Sequence, residues 1–213
     1  MKKFLTILAL ALATATAAHA QFGIIGGYTA STTNLDKNLI DVKAMSQWHA
    51  GFVYKIGLGP FFALQPSLTY EAKGVKVQEA QKDVSTLENT SGFVELGLGA
   101  QVGVDLLAFR PFVMAEPFVG YQVYQNGNYT GAGAGSESVA QTLKNAQNKV
   151  EYGFGVGGGL EILHHFQVSV QWFQNLGHLF NEDKIANVPG AVSSSYNDIK
   201  NYQGIKLSLA VLF

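Results

Sequence analysis

The feature that most constrains the fold is a strict alternation of apolar and polar residues at positions 93–106, FVELGLGAQVGVDL. A period of two is typical of a β-strand with one apolar and one polar face. A helix is excluded because its interior would hold three glycines and its apolar residues would not form one stripe. The segment is long enough to cross a bilayer when tilted, so it predicts a transmembrane strand with its apolar face toward lipid. That face consists of Val94, Leu96, Leu98, Ala100, Val102, Val104 and Leu106.

The N-terminus has the pattern of a secretory signal peptide. A basic start is followed by an apolar run at 4–13 and by small residues that end at Ala20. Such a segment is too short and wrongly flanked to be a spanning helix. We expect cleavage between Ala20 and Gln21, which divides the chain into a signal peptide, 1–20, and one barrel domain, 21–213. The alternative is a buried N-terminal helix.

The composition favours a membrane protein over a soluble domain. Charged residues are 14 % of the chain, against about 25 % in soluble domains. The net charge of −1 gives no reason to expect a nucleic-acid partner, and the absence of cysteine excludes disulfides and a lipid-anchor cysteine. After the signal peptide no apolar run of about 18 residues remains, so we expect no spanning helix. An exported chain that is apolar only at alternate positions predicts a barrel in the cell outer membrane.

Eight segments alternate in this way, and we predict that they form one all-β, antiparallel, up-and-down transmembrane barrel. The segments are 22–30, 48–57, 62–73, 93–106, 110–124, 150–162, 166–172 and 202–213. Tight turns are expected near 58–60, 108 and 163–164. Long connections are expected at 31–47, 75–92, 125–149 and 173–201. An even number of strands, with short turns at one end and long loops at the other, is typical of outer-membrane barrels whose termini are both periplasmic.

This topology assigns a depth to each lipid-facing aromatic residue. If odd-numbered strands run outward, tyrosines and tryptophans collect near the outer boundary and phenylalanines near the inner one. The pattern predicts two aromatic girdles. The outer girdle consists of Tyr28, Trp48, Tyr70, Tyr121, Tyr152 and Trp172, and the inner girdle of Phe22, Phe62, Phe166 and Phe213.

Charged residues lie on the opposite face of the strands, toward a lumen that eight strands leave just wide enough for side chains. Because buried charges must be paired, we predict a network of ion pairs that fills the lumen. We expect Asp105 to face Arg110 across a tight turn, and Lys73 and Glu95 to flank the far end of one hairpin. The alternative, an ion pathway, needs a wider bore. The predicted network consists of Lys55, Glu71, Lys73, Glu95, Asp105, Arg110, Glu116, Glu151, Glu161 and Lys206.

Strand register should be well specified. Sliding strand 93–106 by one residue would place Glu95 and Asp105 in lipid, where a charge costs up to about 2–4 kcal/mol near the midplane.

Pro66 and Pro117 lie inside predicted strands and lack a backbone donor. We expect a β-bulge at each proline.

Three features could indicate other chemistry. Segment 153–158 matches G-x-G-x-x-G, but no helix or βαβ unit accompanies it, so we interpret the glycines as making room in a narrow lumen. The adjacent His164 and His165 would point in different directions in a solvated turn, which disfavours a metal site. His49 and His178 lie near the outer rim without a nucleophile or acid beside them in sequence. We therefore expect no enzyme activity, no metal and no cofactor.

Five stretches carry recognisable motifs: 64–74, 93–104, 110–121, 152–162 and 202–213. Together they resemble the PorT-like outer membrane protein β-barrel domain family. The clearest motif is Gln-Pro-x-Leu-x-Tyr-x-x-Lys-Gly from Gln65 to Gly74, and Glu116 stands where the family often has a small residue. The resemblance covers the mature chain and implies an eight-stranded barrel in a Gram-negative outer membrane without catalytic residues. The terminal Phe213 resembles the insertion signal that the barrel-assembly machinery reads.

These observations give one preferred function and three alternatives. We expect a small non-enzymatic outer-membrane barrel with a side-chain-filled lumen, which supports envelope integrity or binds partners through its outer loops. The resemblance implies an accessory role in protein secretion as the first alternative. The others are a narrow porin and a soluble lipocalin-like carrier with its apolar face inward. Expected partners are outer-membrane lipid, the barrel-assembly machinery and a protein that binds the extracellular loops.

Overall fold

The chain folds into a closed barrel of eight antiparallel strands that follow one another in chain order, and β1 pairs with β8 to close it. The strands are β1 (Ala20–Thr33), β2 (Ile40–Gly57), β3 (Phe62–Glu79), β4 (Thr86–Gly103), β5 (Phe109–Thr130), β6 (Val150–Ile162), β7 (Phe166–Asn175) and β8 (Tyr202–Leu212). The predicted fold class is confirmed. The computed structural model describes residues 20–33, 40–79, 86–130, 148–177 and 202–213.

The predicted signal peptide lies outside the described residues, except for Ala20, which begins β1. In the part of the chain that the structure describes, no helix has the length and apolar character needed to cross a bilayer.

All eight predicted strands are present, but several extend beyond their predicted ends. The predicted strands end where the alternation of apolar and polar residues ends. The observed strands continue because backbone hydrogen bonding, as between Ile40 and Glu79, does not depend on apolar side chains. Parts of the predicted long connections are therefore strand. The largest additions are 40–47 of β2, 74–79 of β3, 86–92 of β4 and 125–130 of β5. Conversely, β4 ends at Gly103 rather than at 106. We call the end with the three tight turns the turn end, and the opposite end the far end.

The apolar face of the barrel points outward and the polar face inward. Leu96, Val102 and Leu207 are about half-exposed, whereas Glu95 and Lys206 are only 2 % and 7 % exposed. A lipocalin-like carrier would need the reverse arrangement. Ile56 and Ala72 share the outward face but are buried.

The two prolines do not produce the predicted bulges. The β2–β3 ladder is interrupted opposite Pro66 and the β4–β5 ladder opposite Pro117, but each keeps one register across the gap. In an antiparallel strand each backbone donor faces one neighbour, so a proline forgoes one hydrogen bond without moving the chain. The register shifts lie elsewhere, between Ala44 and His49 on β2 and between Gly92 and Phe93 on β4.

The three tight turns are present where predicted, and all use left-handed backbone conformations. Gly59 has a φ of 97°, Leu107 one of 59°, and Leu163 and His164 have φ values of 52° and 59°. The consecutive positive φ values of Leu163 and His164 are those of a type I′ hairpin turn, whose twist matches that of the strands. Only Gly59 adopts this backbone region without a Cβ penalty.

We predict that Gly59→Ala lowers the free energy of unfolding by about 1–2 kcal/mol, because an alanine at φ 97° is strained. No atom lies within 4 Å of the added Cβ, so backbone strain is the only cost. Urea unfolding in lipid vesicles, followed by tryptophan fluorescence, measures the change. The control is Gly26→Ala, whose Cβ would meet only His49 O at an ordinary 3.5 Å. Equal destabilisation of both variants would contradict the strain argument.

Candidate functional site

The lumen is the candidate site because the charged residues of the strands converge there. Eight of the ten predicted network residues are at least nine-tenths buried: Lys55, Glu71, Lys73, Glu95, Arg110, Glu151, Glu161 and Lys206. Glu116 also points inward and is partly buried. The placement of Asp105 in the lumen was wrong, since 45 % of its side chain is exposed at the turn end. Strand alternation predicted an inward side chain there, but β4 has already ended at Gly103.

Two lysines and three glutamates form a cluster across the far half of the lumen. Lys206 Nζ lies 2.7 Å from Glu71 Oε1 and 3.1 Å from Glu95 Oε2. Lys73 Nζ lies 2.8 Å from Glu151 Oε1 and also pairs with Glu95, as its place at the hairpin end predicted. Except for the Lys73–Glu95 pair, which joins adjacent β3 and β4, these bonds join strands that are not neighbours in the sheet. We call Glu71, Lys73, Glu95, Glu151 and Lys206 the far-end cluster.

Aromatic rings line the same level of the lumen. Lys73 Nζ lies 4.9 Å from the ring centre of Phe118 and 5.0 Å from that of Phe173, and Lys206 Nζ lies 5.4 Å and 5.3 Å from the same two rings. Ammonium groups over aromatic faces gain cation–π attraction, which is larger when water is excluded. The sequence prediction missed these two rings, although strand alternation could have identified them as inward-facing.

His49 extends the cluster through neutral groups. Its Nδ1 lies 2.9 Å from Thr29 Oγ1 and its Nε2 lies 3.0 Å from Ser208 Oγ. Thr29 donates in turn to Glu71 Oε2 at 3.1 Å. The expectation that His49 is isolated was therefore wrong, because its partners come from β1 and β8. A serine beside a histidine is the geometry of a nucleophile and its base, but both residues are buried.

A second cluster lies near the turn end. Lys55 Nζ bonds both carboxylate oxygens of Glu161, at 2.6 and 2.7 Å, and Gln167 donates to Glu161 at 2.9 Å. Arg110 Nη1 lies 3.9 Å from Glu161 and donates to Gln101 at 3.1 Å. We call Lys55, Arg110 and Glu161 the turn-end cluster.

Two exposed groups lie at the mouth of the turn-end cluster. Asp105 Oδ1 lies 3.9 Å from Arg110 Nε, so the predicted pair faces across the turn at long range. His164 Nδ1 lies 3.5 Å from Glu161 Oε1 and half of its side chain is exposed. His165 instead lies 2.6 Å from the carbonyl of Leu163. The two histidines thus have different partners.

A chamber of about 40 Å³ separates the two clusters, which is room for about three water molecules. Glu116 lines this chamber and accepts hydrogen bonds from Ser67 at 2.9 Å and Gln171 at 2.8 Å. The described residues supply no ion pair to Glu116. His49 and Ser208 also line the chamber, and its volume leaves no room for a substrate beside them.

Inward glycines make the crowded lumen sterically feasible. A Cβ on Gly153 would press on the ring of Phe118, one on Gly155 on the side chain of Gln171, and one on Gly159 on the ring of Phe112. The G-x-G-x-x-G segment is thus one wall of the lumen, and β6 continues from it into the tight turn before β7. The glycines thus make room in a narrow lumen, as we expected from the sequence.

The predicted girdle residues lie on the outer surface of the barrel. All are exposed except Tyr70, which is partly buried. At the far end Tyr28 pairs with Trp48, whose ring centre lies 5.1 Å from that of Tyr70. At the turn end the backbone amide of Phe213 donates to the carbonyl of Phe22 at 2.7 Å.

The histidines do not form a metal centre in the described part of the chain. No group of three or more His, Cys, Asp or Glu side chains among the described residues could hold a metal ion. His178 lies outside those residues.

The chain matches a known protein family. Residues 14–181 match the family described as outer membrane protein beta-barrel domain. The chain belongs to this family. Its location is therefore the outer membrane. The family description is broader than the PorT-like family that the motifs resemble.

Several solved structures are similar to this chain. Neisserial surface protein A has a TM-score of 0.45 at 9 % identity, covering 91 % of this chain and 99 % of its own. Ail, the attachment invasion locus protein of Yersinia pestis, has a TM-score of 0.43 at 9 % identity, covering 92 % and 99 %. OprG of Pseudomonas aeruginosa has a TM-score of 0.42 at 9 % identity, covering 91 % and 96 %. No curated protein matches the chain.

We predict that Lys206→Met lowers the free energy of unfolding by about 3–5 kcal/mol, because it leaves the buried carboxylate of Glu71 without its lysine and that of Glu95 with Lys73 alone. The double variant Lys206→Met/Glu71→Gln should be more stable than the single variant, since it also removes one of those charges. Urea unfolding in vesicles provides the comparison.

The matched control for this prediction is Lys149→Met, at an exposed lysine. Surface substitutions of this kind change stability by about 0.5 kcal/mol or less. The role assigned to the far-end cluster would be contradicted if both single variants lost the same free energy of unfolding, or if the double variant were no more stable than Lys206→Met.

Proposed function

We propose that this protein is a small non-enzymatic outer-membrane barrel whose lumen is closed to solutes, and which acts through its surface and its two ends. The observation that carries the proposal is the pair of ionic clusters that cross the lumen. Lys206 of β8 reaches Glu71 of β3, and Lys55 of β2 reaches Glu161 of β6. The chamber between the clusters has room for only a few water molecules.

A narrow porin is less consistent with this geometry. Conducting barrels need an aqueous channel, which 16- to 18-stranded porins provide and eight strands do not. Here each lysine of the far-end cluster contacts two carboxylates, and phenylalanine rings fill the space around them. An ion that crossed would have to displace buried charges from their partners, which is costly in a medium of low dielectric constant.

We further propose that both termini are periplasmic and that the far end faces the cell exterior. Short periplasmic turns and longer extracellular connections are the rule for such barrels. The described tight turns all lie at one end, which is also where β1 begins and β8 ends. We propose that the barrel-assembly machinery inserts the protein and that outer-membrane lipid surrounds it. In the proposed orientation, a protein partner would bind the connections at the far end.

The second candidate is an accessory role in protein secretion. It is favoured by the motif from Gln65 to Gly74 and by the stretch 110–121, which resemble the PorT-like family. Co-purification of secretion-system subunits with the tagged protein after mild crosslinking would favour this role. Sensitivity of a deletion strain to detergents, with secretion intact, would favour a role in envelope integrity.

The closed lumen predicts that the purified protein gives no stable porin-like conductance in planar bilayers. A general porin reconstituted in the same bilayers is the positive control. Regular open levels from the pure protein would overturn the closed-lumen proposal.

The orientation predicts which sites a membrane-impermeant maleimide can reach on intact cells. The chain has no cysteine, so Ser136→Cys in the connection after β5 and Asp105→Cys at the lumen mouth of the turn end, where 45 % of the side chain is exposed, are single reporters. We expect labelling of the cysteine at 136 on intact cells, and of the one at 105 only after the envelope is permeabilised. The opposite pattern would show that the barrel is inverted.

A further inference from the structure

The tight turns of the barrel end in exposed apolar side chains. Leu107 is 96 % exposed, Leu163 60 % and Phe61 51 %. They come from three different turns, and each has an exposed apolar strand-end residue within three positions in sequence, at Phe62, Leu106 and Phe166. Water-facing turns normally carry polar residues, and exposed apolar side chains concentrated at one end of a barrel indicate an interaction site.

The polar groups near these turns are directed to the lumen mouth instead. Asp105 lies 3.9 Å from Arg110, and His164 lies 3.5 Å from Glu161. Gln21 donates to the carbonyl of His164 at 2.8 Å. The turn end is therefore polar at its centre and apolar at its rim, which is the distribution expected where a barrel meets a lipid interface rather than water.

The length of the apolar surface supports the same conclusion. Val94 pairs with Tyr70 and Tyr121 of the outer girdle, and β4 continues for nine residues from Val94 to its end at Gly103. At about 3.3 Å per residue and a tilt of about 40°, this stretch spans roughly 23 Å along the membrane normal. The apolar band of an outer-membrane barrel is about 25 Å tall. With the outer girdle at one membrane boundary, Leu106 and Leu107 reach the opposite boundary.

We infer that the rims of the three tight turns, formed by Leu58, Phe61, Leu106, Leu107 and Leu163, are embedded in the lipid headgroup and acyl boundary of the adjoining leaflet. This surface continues the lipid-facing belt, so its occupant is phospholipid. In the proposed orientation that leaflet is the periplasmic one. Only the identity of the leaflet rests on the proposed function. The embedded turns then fix how deep the barrel sits in the membrane.

Single-tryptophan variants in phosphatidylcholine vesicles test the inference. Trp48 and Trp172 are the two native tryptophans, and both are first replaced by phenylalanine. In this background Leu107→Trp and Leu163→Trp place reporters at two turns whose residues already have exposed side chains. Leu209→Trp reports the lipid-facing belt, and Asn126→Trp, at an exposed position of β5 beyond Tyr121, reports the far side of the outer girdle.

We expect brominated lipids to quench the reporters at 107 and 163 at least half as strongly as the one at 209, with blue-shifted emission and little quenching by aqueous acrylamide. The reporter at 126 should show the reverse. Strong acrylamide quenching at 107 and 163, with lipid quenching retained at 209, would overturn the inference while leaving the membrane barrel intact. Absence of lipid quenching at 209 as well would overturn both. Acrylamide protection at 107 without lipid quenching would indicate a second copy or a protein on the rim, and would also overturn the inference.

Discussion

The structure depends on ion pairs that cross the lumen. Backbone hydrogen bonds join each strand only to its two neighbours, whereas Lys206 joins β8 to β3 and β4, and Lys73 joins β3 to β6. In an interior of low dielectric constant, removing one partner of such a pair leaves an uncompensated charge, which costs several kcal/mol. Each buried charge therefore depends on its partners, and this dependence limits which residues the inward face can hold.

The glycine content follows from the same crowding. Large side chains that crowd a narrow barrel need neighbouring positions without side chains, and β6 provides Gly153, Gly155 and Gly159 beside Phe118 and Phe112 of β5 and Gln171 of β7. Phe118 serves a second purpose together with Phe173, because the centres of these two rings lie 4.9 and 5.0 Å from Lys73 Nζ and 5.4 and 5.3 Å from Lys206 Nζ. Space and charge compensation are thus supplied together, without an aqueous channel.

The strands, their faces and their order could be predicted because each depends on residues adjacent in sequence. A period of two identifies Leu96 as outward and Glu95 as inward without reference to the rest of the chain. Contacts across the lumen could not be predicted, since Ser208 meets His49 only through the stagger of eight strands. Local exceptions also escaped prediction. Asp105 follows the alternation but lies beyond the end of β4, and Pro66 and Pro117 interrupt a ladder without shifting it.

The strands on one side of the barrel are longer than those on the other side. A spanning strand needs about 9–11 residues; β6, β7 and β8 have 13, 10 and 11 residues, whereas β2, β3 and β4 have 18 each and β5 has 22. One side of the barrel therefore continues past the apolar belt at the far end. Membrane insertion does not require that additional sheet, and the proposed closed lumen would give it no transport role. On that proposal, with lipid around the wall and side chains filling the interior, we expect contacts with other molecules at this projecting side and at the connections that leave it.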